Sequence, residues 1–126
     1  MLFYGGAMQT VLVVDDSMFQ RKSICKALAE AGFQTVEAEN GRDGLAKIGA
    51  ENPDFILTDL LMPEMDGLQF ISAIKERGIV SPVFVLTADI QDSKRKQCLD
   101  LGVAGFLSKP IKQGELMSAF ENLKKG

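Results

Sequence analysis

Along the chain, short runs of aliphatic and β-branched residues alternate with longer stretches in which apolar residues recur at helical spacing. Val11-Leu12-Val13-Val14, Phe55-Ile56-Leu57 and Val83-Phe84-Val85-Leu86 are unbroken apolar runs, as strands buried on both faces require. Gln34-Thr35-Val36-Glu37-Ala38 is more polar and Gly105-Phe106-Leu107 is short, so these two are predicted to be edge strands. Each strand is followed by a helix candidate. Asp16-Ser17 can cap the first, which carries Ile24, Ala27, Leu28 and Ala31 on one stripe and has Gly32 at the left-handed position past its end. Asn40 can cap the second, with Leu45 and Ile48 inward, and Asp66 the third, with Phe70, Ile71 and Ile74 towards the sheet. The fourth, from about Asp92 to Leu101, is polar until Cys98. The fifth, from about Gln113 to Leu123, has Leu116, Ala119, Phe120 and Leu123 at helical spacing.

Strand-helix units in this number, without hairpin signals between them, predict an α/β fold: a five-stranded parallel sheet flanked by five helices on its two faces. Ligands of such open sheets bind beyond the carboxyl ends of the strands. There the sequence puts Asp15 and Asp16 after the first strand, Asp59 at the end of the third, Thr87 at the end of the fourth and Lys109 after the fifth. These five side chains are expected to converge on one rim.

The 126 residues suit one domain, and the hydrophobic share of 46% with 25% charged residues is that of a globular chain rather than a disordered one. Residues 1–9 are read as a short extension, because Met1-Leu2-Phe3-Tyr4 is followed by glycines and has no basic n-region. Residues 10–126 form the expected domain. A net charge of −3 argues against a nucleic-acid-binding face. No apolar run approaches the ~20 residues that span a bilayer, so no membrane partner is expected and the location expected is cytoplasmic. Cys25 and Cys98 stand alone in helical patterns and are read as free, buried or half-buried thiols. The absence of histidine changes the picture most. It removes Ser-His-Asp and Cys-His nucleophile pairs and histidine metal sites, leaving any chemistry to Asp, Glu, Lys, Ser, Thr and the backbone.

Three carboxylates on one rim repel each other unless a cation joins them. Mg²⁺ suits the set, since it takes one or two carboxylates together with a backbone carbonyl, waters and a phosphoryl oxygen; Asp16 and Asp59 are the expected direct ligands, with Asp15 acting mainly through water. Taken singly, each residue has a plainer explanation. Asp15-Asp16 reads as helix capping, Asp59 as a turn starter, Thr87 as a β-branched strand end, Lys109 as a solvated surface lysine and Phe106 as core. Their common location is what outweighs those readings. The glycines at Gly41 and Gly44 lack a phosphate-loop pattern and no Gly-Lys-Ser/Thr follows a strand, so nucleotide binding has no support.

Val13-Val14-Asp15-Asp16-Ser17, the stretch from Leu57-Thr58-Asp59 through Met62-Pro63-Glu64-Met65-Asp66-Gly67, Leu86-Thr87-Ala88 and Ser108-Lys109-Pro110 together resemble the receiver domain of bacterial two-component response regulators. The resemblance runs from about Thr10 to Leu123, with the motifs in family order. It implies sheet order 2-1-3-4-5, the flavodoxin-like doubly wound arrangement. It also implies that Asp59 is the phosphoacceptor, taking its phosphoryl group from a phosphohistidine on a histidine kinase or phosphotransfer protein. Asp15, Asp16, Asp59 and the backbone carbonyl of Leu61 would be the Mg²⁺ site, Thr87 would donate to a phosphoryl oxygen, and Lys109, in a Lys-Pro whose peptide is cis in the family, would reach the same group. Thr87 and Phe106 would form the switch; the family often has Tyr there, and Phe brings no hydroxyl. Met62, Pro63, Met65 and Gly67 are read as shaping the loop after Asp59.

Such a chain is a signalling switch and not an enzyme, catalysing only its own phosphorylation and dephosphorylation. Output is expected through a protein target on the face of the fourth helix, fifth strand and fifth helix, as in single-domain chemotaxis or phosphorelay regulators, with a piece of a longer protein as the other possibility. Leu61 and Asp89 occupy the positions that tune phosphoryl lifetime, and shielding by Leu61 is expected to dominate. Two alternatives stand beside this reading. A Mg²⁺-dependent phosphatase with an aspartyl-phosphate intermediate usually has a second Asp two residues past the nucleophile, where this chain has Leu61. A docking module independent of phosphorylation usually lacks the acidic cluster, the Thr or the Lys, all of which are present.

Overall fold

The computed structural model describes residues 3–4, 7–62, 64–88 and 91–125. Five strand-helix units follow in order: β1 (Thr10–Val14), α1 (Met18–Glu30), β2 (Gln34–Ala38), α2 (Gly41–Glu51), β3 (Phe55–Asp59), α3 (Gly67–Glu76), β4 (Val83–Thr87), α4 (Asp92–Asp100), β5 (Gly105–Ser108) and α5 (Gln113–Lys125). The starts of α1, α2 and α3 fall where the sequence provides caps. Ser17 Oγ accepts from Gln20 N, Asn40 Oδ1 from Asp43 N at 2.8 Å, and Asp66 and Gln69 cap each other reciprocally at the head of α3. Gly32 lies past α1 with φ +96°, a conformation open to glycine at little steric cost.

The strands form one parallel sheet in the order β2-β1-β3-β4-β5, as expected from the family resemblance, with the two more polar or shorter strands at its edges. Alternation along each strand divides the core in two. Val11, Val13, Leu57 and Leu86 pack with Ile24 and Leu28 of α1 and Leu116 and Phe120 of α5. Leu12, Val14, Ile56 and Val85 turn to the other face, against α2, α3 and Cys98 of α4. Both faces are covered, which is why the central strands are apolar throughout. Gly44 lets α2 approach closely: a Cβ there would lie 2.9 Å from the Phe70 ring and 3.2 Å from Val14. In α4 only Cys98 is buried, in keeping with its polar sequence. Cys25 and Cys98 are free and buried, and burial pushes both thiols up from the usual cysteine range, away from the reactive thiolate.

Register carries the fold into function. Val14 pairs with Thr58, Asp59 with Leu86, and Thr87 with Ser108, so the carboxyl ends of β1, β3, β4 and β5 finish along one edge. The segment read as a plain extension contains a short antiparallel ladder, Phe3–Tyr4 with Ala7–Met8, which the sequence reading did not foresee. Pro63, Asp89 and Ile90 lie outside the described residues. No helix among the described residues is long and apolar enough to cross a membrane.

Phe120 ties α5 to the sheet. Its ring stacks on Phe55 at 4.1 Å between centroids and meets Phe33 edge-on at 5.2 Å and Phe84 at 5.3 Å. Phe120→Ala is expected to remove about 3–5 kcal/mol of stability in urea unfolding. By contrast, Leu99→Ala, at a side chain of α4 that is 53% exposed, should stay within about 0.5 kcal/mol of wild type; similar losses at both would contradict this account of the core.

Candidate functional site

Asp15 extends β1 by one residue, its N–H donating to Ala38 O at 3.1 Å. That contact leaves its side chain at the rim but wholly buried. Asp15 Oδ1 accepts from Ser17 N at 2.9 Å, and Oδ2 lies 3.4 Å from Lys109 Nζ. Behind it, Arg21 Nη1 donates to the Asp15 carbonyl at 2.7 Å and Arg21 Nε to Glu37 Oε1 at 2.9 Å. Lys22 binds the other oxygen of Glu37 at 2.7 Å. That Lys22 hydrogen bond, reinforced by Arg21 and only partly opposed by burial, holds the Glu37 carboxyl below the usual range. The backbone under the acidic pair is therefore braced by two cations sharing one carboxylate across α1 and β2.

Asp59 closes β3. Its Oδ1 accepts from the N–H groups of Leu60 and Leu61 at 2.7 and 3.3 Å, while Oδ2 accepts from Lys109 Nζ at 2.9 Å. Thr58 Oγ1 donates to the Asp59 carbonyl, and Gly67 packs directly on that backbone: a Cβ at Gly67 would stand 2.5 Å from both Asp59 O and Leu60 Cα. Gly67 is thus required by close approach. Lys109 is anchored by its N–H to Thr87 O at 3.1 Å and is joined to Pro110 by a cis peptide. Its ammonium also donates to Gln20 Oε1 at 3.0 Å.

Ligand oxygens of Asp15, Asp16 and Asp59 all lie within 4.8 Å of one another. Three carboxylates face one ammonium, and Asp16 is exposed and makes no ion pair among the described residues. The donors are hard oxygens only, which suits a small divalent cation and not a thiophilic metal. A cavity of about 870 Å³ opens over the cluster, lined by Asp16, Asp59, Leu61, Thr87 and Lys109 among others.

The five residues expected on the rim are therefore neighbours: four are linked by carboxylate spacing and the lysine contacts, and Thr87 lines the same cavity. Leu61 lines it too, but its side chain is 83% exposed, so most of its surface faces water instead of covering Asp59. Phe106 lies apart, half-buried against the core on the α4 side, with the Arg95 guanidinium 4.4 Å from its ring centroid. Gln20, Arg21 and Glu37 went unread in the sequence. Gln20, four residues past Asp16 in the first turn of α1, had the helical spacing to be noticed; the Arg21–Glu37 pair joins two elements and left no local signal.

The chain matches the family model described as the response regulator receiver domain over residues 11–121. It is 34% identical over 113 residues to response regulator MprA of Mycolicibacterium vanbaalenii, covering 90% of this chain and 49% of that protein. With the KDP operon transcriptional regulatory protein KdpE of Escherichia coli it shares 37% identity over 111 residues, 88% of this chain and 49% of the other. The chain spans about half the length of these relatives. Among solved structures, the chemotaxis protein CheY4 of Vibrio cholerae superposes with a TM-score of 0.85 at 31% identity, over 92% of this chain and 98% of that one.

Excess negative charge on the rim has a measurable cost. In buffer with a chelator and no divalent cation, Asp16→Asn should raise stability at neutral pH by less than about 1 kcal/mol, by removing a repelling charge. A lower urea midpoint for the variant would contradict the charge account.

Proposed function

The chain belongs to the response regulator receiver family, and from that premise we propose that Asp59 accepts a phosphoryl group from a phosphohistidine on a histidine kinase or phosphotransfer protein, with Mg²⁺ bound, and thereby switches binding of a partner protein. The observation that carries the reading is the contact of 2.9 Å between Lys109 Nζ and Asp59 Oδ2 inside the three-carboxylate cluster. A positive charge is held against the acceptor oxygen beside a cluster of three carboxylates.

Asp16, Asp59 and the Leu61 carbonyl would hold the ion, with Asp15 acting through water. When bound, Mg²⁺ supplies positive charge facing the phosphoryl oxygens. The remaining work falls to this chain. The N–H groups of Leu60 and Leu61 hold Asp59 Oδ1, which leaves Oδ2 as the nucleophile. A bond forms between Oδ2 and phosphorus as the phosphorus–nitrogen bond of the donor breaks; its electron pair stays on the imidazole nitrogen, which takes a proton from solvent. Lys109 moves from Oδ2 to a phosphoryl oxygen, and the Thr87 hydroxyl donates to another. Positioning and charge neutralisation of this kind supply most of what phosphoryl transfer needs.

Phe106, though apart from the rim, would relay the change to the surface. It sits beside β4 on β5 and under Arg95 of α4, so a shift of Thr87 towards the phosphoryl group would change its packing and with it the α4–β5–α5 face. That face is the proposed contact for a downstream protein. A small phosphodonor with Mg²⁺ should add one phosphoryl group by intact mass, and neither chelation of the ion nor Asp59→Asn should leave measurable labelling. Unimpaired labelling of the variant would refute the assignment.

A further inference from the structure

We propose that Gln20 is a positioning residue for phosphoryl transfer: its carboxamide is the neutral pivot on which the Lys109 ammonium turns from Asp59 to the incoming phosphoryl group. The inference rests on the reading of Asp59 as phosphoacceptor. An ammonium has three N–H donors and no acceptor. Lys109 Nζ has three acceptors around it: Asp59 Oδ2 at 2.9 Å, Gln20 Oε1 at 3.0 Å and Asp15 Oδ2 at 3.4 Å.

Of these three, Asp59 Oδ2 is the atom that bonds to phosphorus, so its contact with Lys109 must be released as the reaction proceeds. The Asp15 contact is the longest, and its carboxylate belongs to the acidic cluster. Gln20 alone among them takes no part in that cluster. Its oxygen accepts a hydrogen bond from Lys109 without adding a further negative charge to a rim that already has an excess. It also stands on a fixed element, because Gln20 N–H is bound by the capping Ser17 Oγ at 3.3 Å at the head of α1. The same side chain lines the cavity over Asp59. One N–H of the ammonium therefore keeps its partner while another exchanges Asp59 Oδ2 for a phosphoryl oxygen. Without Gln20, that third N–H faces water, and the ammonium spends less time oriented for the transfer.

The test uses Gln20→Met, which keeps length and helix propensity but has no carboxamide, alone and combined with Lys109→Met. Initial rates of labelling by acetyl phosphate at saturating Mg²⁺ are followed by intact mass, Mg²⁺ affinity by calorimetry, and the Lys109 ammonium by nitrogen-15 NMR. Gln20→Met should label about five-fold more slowly than wild type. Its Mg²⁺ affinity should remain within about two-fold of wild type and its Lys109 signal should exchange faster with water. In the Lys109→Met background the substitution should have no further effect. An unchanged rate in a protein whose wild type labels normally, an unchanged Lys109 signal, or the same loss in the Lys109→Met background would each overturn the pivot while leaving Asp59 as acceptor. A wild type that takes up no phosphoryl group would overturn both.

Discussion

The structure depends on one electrostatic constraint: three carboxylates within 4.8 Å of one another, one of them wholly buried, with one ammonium among them. Such a group is unfavourable in isolation, because like charges at that spacing repel and burial weakens their screening. Lys109 offsets part of it. The remainder is a standing excess of negative charge, which a divalent cation could balance. In the proposed function, that unbalanced charge is what draws the cation to the rim.

Holding repelling groups together requires a rigid frame, and the sheet provides it. Parallel pairing through Val14–Thr58, Asp59–Leu86 and Thr87–Ser108 fixes where each strand stops. Phe55, Phe84 and Phe120 lock α5 below the sheet, and Gly67 lets α3 begin against the backbone of Asp59 itself. Arg21, Glu37 and Lys22 add a second support behind Asp15, where hydrogen bonds to charged groups tie α1 to the edge strand β2. The outer parts of the site are held less tightly. Leu61 stands mostly in water, and α4 buries a single side chain; segments with so few buried contacts are the ones that rearrange at least cost.

Most of the frame was legible in the sequence because its signals are local. Unbroken apolar runs marked the doubly covered strands, and Ser17, Asn40 and Asp66 marked helix starts by their own side-chain chemistry. The rim was legible for a different reason: in an open parallel sheet, being at the end of a strand places residues as distant in sequence as Asp15 and Lys109 on one edge, and the length of the lysine side chain closes the gap. Strand order was not legible from periodicity, since parallel strands of similar composition exchange places without changing any local pattern; it came from the resemblance. Equally illegible were contacts set by side-chain reach between elements. Arg21 bridging Asp15 and Glu37, and Arg95 over Phe106, each depend on a rotamer and a packing distance, and neither leaves a period in the chain. The short ladder before β1 was missed because two-residue strands fall below any periodic signal.

The most direct test of the central claim is the dependence of folding stability on Mg²⁺. A ligand that binds only the folded state stabilises it by an amount set by its concentration relative to its dissociation constant, about 2.7 kcal/mol at a hundred-fold excess. Urea unfolding of the wild type, with Mg²⁺ raised to that excess over the calorimetric dissociation constant, should show this gain at constant ionic strength. Asp16→Asn, which lacks a proposed direct ligand, should show little of it at the same concentration. A wild-type midpoint indifferent to Mg²⁺, or an equal gain in the variant, would mean that the acidic rim is not held open for a cation.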